Sequence, residues 1–209
     1  MSECGCHAEA SNEAERRILR LALGLNATMF VVGIVAGLIA QSMGLIADSL
    51  DMLADACAYG IGLAAWARSA RFKASAAQLS GMLLLILGLG VLLGVAWRVV
   101  KGSHPDGVWM MGIAFVALMV NATVLRLLGR FRHGEVHLRA TWLFTRVDVI
   151  ANGAVILSGV LVLWLHSSVP DLVIGAAIAV YVLKESVGIL REAREARVAA
   201  AAAAAIATP

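Results

Sequence analysis

The sequence predicts an all-α membrane protein, a bundle of six transmembrane helices with both termini in the cytoplasm. Three observations predict it. Apolar residues make up 61% of the chain and charged residues 15%, with a mean hydropathy of +0.86, far from the balance of an ordinary soluble domain. The apolar runs are about as long as the roughly 20 residues a helix needs to cross a bilayer. The basic residues gather in alternate connections, which is the pattern of membrane orientation.

The runs cover residues 18–40, 43–67, 77–100, 108–129, 139–165 and 170–191. Before the first lies MSECGCHAEASNEAERR, polar and acidic, without the short apolar core and cleavage site of a secretory signal, so it is expected to stay in the mature chain. The second carries the stretch ADSLDMLADA. The third and fourth are joined by KGSHPDG and the fifth and sixth by HSSVPD, both with turn chemistry, so sequence neighbours run antiparallel. Fourteen basic residues fall on one side, among them Arg16, Arg71, Arg130 and Arg194, against Arg98 and Lys101 on the other; the richer side is cytoplasmic. The organisation that follows is a cytoplasmic tail over 1–16, a six-helix domain over 17–192, and an Ala-rich cytoplasmic tail over 193–209, too short for a folded domain and expected as a frayed helical extension or disorder. Gly33/Gly37 and Gly90/Gly94 have the small-xxx-small spacing of close helix packing.

Several function classes drop out. A net charge of +3 with no basic stripe and no interleaved aromatics gives no nucleic-acid surface. Three cysteines do not make a disulfide framework, and free thiols are expected in the reducing cytoplasm.

The second helix carries the chemistry. An aspartate at the centre of a membrane helix costs about 2.5–3.5 kcal/mol on insertion scales, so three facing lipid would cost roughly 8–10 kcal/mol and must be hidden. At about 100° per residue, Asp48, Asp51 and Asp55 fall at roughly 0°, 300° and 340°, one inward acidic stripe. Like charges so close repel, and a divalent cation is their natural partner. The fifth helix, within TWLFTRVDVIANGAV, adds Asp148 and Asn152, which share a face with Phe144 and are joined by Thr141 and Thr145; Asn26 and Asn121 are the polar groups of the first and fourth. The second helix descends to the cytoplasm while the fifth rises from it, so Asp55 and Asp148 are expected to meet near the midplane, where transporter sites lie.

These residues resemble the cation diffusion facilitator family, proton-coupled exporters of zinc and related divalent metals. QSMGLIADSLDMLADA matches the [HD]-x-x-x-D pair of the family's second helix, and RATWLFTRVD its fifth. The resemblance spans residues 15–192 and implies Asp51, Asp55 and Asp148 as metal ligands, with Asp48 one turn earlier as an acidic position beside the site. It also implies transported Zn²⁺ as substrate rather than a resident cofactor, protons as counter-ion, a homodimer, and a multi-pass protein of the inner (cytoplasmic) membrane. Three departures stand out. Phe144 occupies the position of a ligating His or Asp; the loop ARSARFKAS has no histidine; and the family's cytoplasmic C-terminal metal-binding domain is missing, as in a short subgroup. Three carboxylates with a water, or with Thr145, Asn152 or Asn26 as a neutral donor, suit Zn²⁺ and also Cd²⁺, Co²⁺ or Mn²⁺.

Other residues are weaker candidates. Cys4, Cys6 and His7 form a C-x-C-H tail able to capture soft metals, and His133, Glu135 and His137 form a polar loop. Arg146 reads as an ion-paired or snorkelling side chain, and His104 and His166 stand near the far surface without a role. Two other classes compete. The D-x-x-D-x-x-x-D spacing also resembles the metal-diphosphate motif of membrane prenyltransferases, and a non-transporting metal sensor or scaffold would fit the Phe144 departure.

Overall fold

The computed structural model describes residues 4–64, 70–129 and 136–206. These form six helices: α1 (Cys4–Ile39), α2 (Met43–Ala64), α3 (Ala70–Lys101), α4 (Gly107–Gly129), α5 (Val136–Leu165) and α6 (Val169–Ile206). No strand occurs among the described residues. Each expected apolar run is one helix, and the all-α bundle is as the sequence predicts. The N-terminal end differs from the expected tail, and the C-terminal end takes the helical extension. α1 reaches back to Cys4 and α6 runs through REAREARVAAAAAAAI to Ile206, because Ala, Glu and Arg favour helix without needing apolar burial; Glu13 and Arg17 also pair at 3.9 Å one turn apart.

Five helices contain spans long and apolar enough to cross a membrane: Arg16–Ile39, Ala74–Lys101, Gly107–Gly129, Thr145–Leu165 and Val169–Val198. α2 falls outside that group because of its three aspartates, and its position explains how it tolerates them. It packs against all five other helices. Leu45, Ala47, Leu50, Met52, Ala56 and Tyr59 are buried along it, so protein rather than lipid surrounds the carboxyls. Outer helices present Val35, Leu38, Ile86, Leu93 and Ile150, an apolar surface of the kind that a bilayer covers.

An even number of helices returns the chain to the end at which it began. At the opposite, far end the turns interlock. α1 stops where Gln41 takes a left-handed φ of 51°, and Ser42 caps α2 by accepting from the Leu45 N–H at 3.1 Å. Asp171, fully buried at the start of α6, accepts from Ser42 Oγ at 2.6 Å, Met43 N at 2.7 Å and Gly44 N at 2.9 Å. The Asp106 N–H donates to Ala40 O at 3.0 Å, tying the α3–α4 turn to the α1–α2 turn. Gly175 lets α6 lie against the start of α2, since a Cβ there would stand 2.7 Å from the Met43 carbonyl carbon. Gly33 and Gly37 pack likewise on Ser49 and Ile46 of α2, and Gly94 on Met43, whereas Gly90 faces open space. Three of the four glycines of the small-xxx-small pairs therefore serve packing within the bundle.

Candidate functional site

The aspartates of α2 divide by the helix turn. Asp51 and Asp55, one turn apart, look into a cavity of about 210 Å³, which Asp148 of α5 enters from the other wall. The Asp148 carboxyl lies near those of Asp51 and Asp55. Asp51 and Asp148 are 7% and 6% exposed, and their Oδ2 atoms are buried with no hydrogen-bond partner. Buried oxygens left unpaired are costly. No group of three or more His, Cys, Asp and Glu side chains among the described residues is gathered so as to hold a metal.

Asp48 points elsewhere. Asn152 Nδ2 donates to its Oδ1 at 2.7 Å, and Asn152 Oδ1 accepts from Asn121 Nδ2 at 3.0 Å. This buried chain joins α2, α5 and α4, and it engages both ends of the Asn152 amide. Asn26 donates to Ala22 O within its own helix, leaving its Oδ1 buried and unpaired. Thr145 is buried beside Tyr59, whose hydroxyl stands 3.4 Å from Thr145 Oγ1 and donates to Asp55 Oδ2 at 3.1 Å. Tyr59 thus orients Asp55. Neither Thr145, Asn152 nor Asn26 lines the cavity.

The sequence reading missed the third wall. α6 contributes Tyr181 and Glu185, with Glu192 nearer the end that bears the termini. Their spacing, completed by Gly188, follows one helix face, a signal present in the sequence but passed over because Glu185 adjoins Lys184 in what read as the basic end of the helix. Room is left by small residues: Ala54 and Ala58 line the cavity on α2, and at Gly188 a Cβ would meet nothing within 4 Å.

Several remaining candidates are not described. The side chains of Cys4, Cys6, His7, His137 and Phe144, with His133 and Glu135, lie outside the described residues. Arg146 is exposed on α5. Cys57 is a free thiol, as expected. His104 and His166 line a shared cavity of about 300 Å³ at the far end, both exposed.

A family model described as the cation efflux transmembrane domain matches residues 19–196, from the first helix through most of α6. The chain belongs to the cation efflux family. Comparison with curated proteins finds no match. As a cation efflux protein, this chain is a multi-pass membrane transporter of divalent cations rather than an enzyme of the prenyltransferase kind.

Proposed function

We propose that this protein exports Zn²⁺, or the related Cd²⁺, Co²⁺ or Mn²⁺, in exchange for protons, by alternating access around Asp51, Asp55 and Asp148. The observation that carries the reading is the convergence of three acidic side chains from two helices on one cavity inside a membrane bundle. Ionisable groups at such depth mark ion pathways. Oxygen donors with water suit these divalent ions.

Proton coupling follows from proximity. Carboxyls this close are not all charged at once without a cation among them, so protons and metal occupy the cavity in turn, each expelling the other. The cavity lies toward the end that bears the termini, while hydrogen bonds accepted by the Asp171 carboxylate and donated by the Asp106 N–H tie the turns of the far end together. With the termini in the cytoplasm, as the basic residues argue, this is the loading conformation, and rocking of the helices would close it and open the far side. A homodimer in the inner membrane completes the proposal, with the Ala-rich end of α6 as its cytoplasmic extension.

Purified protein in liposomes with an entrapped pH dye tests it. Addition of Zn²⁺ outside is expected to move protons out as metal enters, and Asp148→Asn to abolish both. Metal uptake without proton movement would overturn the antiport, and no metal uptake in any imposed gradient would overturn transport.

A further inference from the structure

We propose that α6 supplies a fourth metal ligand, the carboxyl of Glu185, in place of the donor that α5 lacks at Phe144. The inference rests on the metal-export reading above. A phenyl group has no lone pair to offer, so a site built only from α2 and α5 has three protein ligands, and the metals concerned take four or more. Glu185 lines the same cavity as Asp51, Asp55 and Asp148. Sixteen residues into α6 from Val169, it lies at nearly the depth of Asp148, seventeen residues back from Leu165, roughly 24 and 26 Å at about 1.5 Å per residue.

Its surroundings fit the role. Glu185 is half-buried while its neighbour Lys184 is exposed, so the helix turns the acid inward and the base outward. Among the described residues, no hydrogen bond or ion pair occupies the Glu185 carboxyl. The independent sign of a ligand is the pair of unpartnered, deeply buried oxygens, Asp51 Oδ2 and Asp148 Oδ2, on the walls of that cavity. A cation that satisfies them is flanked on its open side by α6. Metal bound between α2, α5 and α6 would tie the three helices together, which makes Glu185 the ligand that couples occupancy to the position of α6.

The test uses the full chain in nanodiscs, with Zn²⁺ titrated calorimetrically and Co²⁺ absorption reporting the ligand set. Glu185→Gln is expected to weaken Zn²⁺ binding by about 10–100-fold, the range seen when a supporting group of a metal site is removed, and to alter the Co²⁺ spectrum while the melting temperature holds. Glu185→His should restore Zn²⁺ binding and raise its preference over Mn²⁺. Wild-type affinity and an unchanged Co²⁺ spectrum in Glu185→Gln, with binding lost in Asp51→Asn, would overturn the α6 ligand and leave the export reading standing. Retained Zn²⁺ binding in Asp51→Asn would overturn both.

Discussion

Replacing Asp171 by alanine should loosen the far end of the bundle more than any other single polar substitution there. Two of its three donors, Met43 N and Gly44 N, belong to the first turn of α2, where N–H groups have no partner within the helix. The third, Ser42 Oγ, is itself the α2 cap. A hydrogen bond to a charged group contributes about 1.5–3 kcal/mol, and the three share one side chain, so their effects do not add. Buried donors left unpaired cost about 1–3 kcal/mol each, so a loss of about 2–5 kcal/mol is expected for Asp171→Ala. Asp171→Asn keeps one acceptor oxygen for Ser42 and Gly44 and turns an amide N–H toward Met43 N; about half the loss is expected. Reversible unfolding in lipid or detergent, followed by helical signal, measures both. An Asp171→Ala protein within about 0.5 kcal/mol of wild type, the range of an ordinary surface change, would refute the assignment of Asp171 as the clamp on α2.

Three further outcomes are expected. Gly188→Leu places a side chain in open space beside Asp55 and Glu185, so vesicle uptake of Zn²⁺ should fall at least tenfold while the melting temperature stays put; unchanged uptake would mean that metal does not pass through this cavity. Gly175→Ala forces a Cβ onto the Met43 backbone and should cost about 1–3 kcal/mol by overpacking, read in the same unfolding assay. Asn152→Ala removes the donor to Asp48 and the acceptor for Asn121, two buried partners at once, and should cost about 2–4 kcal/mol; a neutral result would show that this polar chain does not hold α2 to α5.

The helices were legible because a bilayer demands long apolar runs with internal hydrogen bonding. The N-terminal end was not, since the stretch before Arg16 is helical through propensity and charge pairing rather than burial. The acidic face of α2 followed from helical periodicity, but which aspartate meets which partner did not. Asp48 turns to Asn152, 104 residues away in sequence, and Asp55 to Tyr59 on its own helix. Asp171 looked like turn chemistry in HSSVPD, and its role depends on the start of α2, 128 residues earlier. Glu185 was hidden beside Lys184, whose charge bears on orientation at the level of the whole chain while the helix face sets what enters the cavity.

The central claim is that metal crosses the bundle by way of the α2 and α5 carboxyls. Uptake of radioactive Zn²⁺ into liposomes bearing wild-type or Asp51→Asn protein, under an imposed proton gradient, tests it most directly. Gradient-driven accumulation by the wild type and background uptake by the variant, which keeps the side-chain shape but loses a charge and a ligand, is the predicted result; equal accumulation by both proteins would contradict the account.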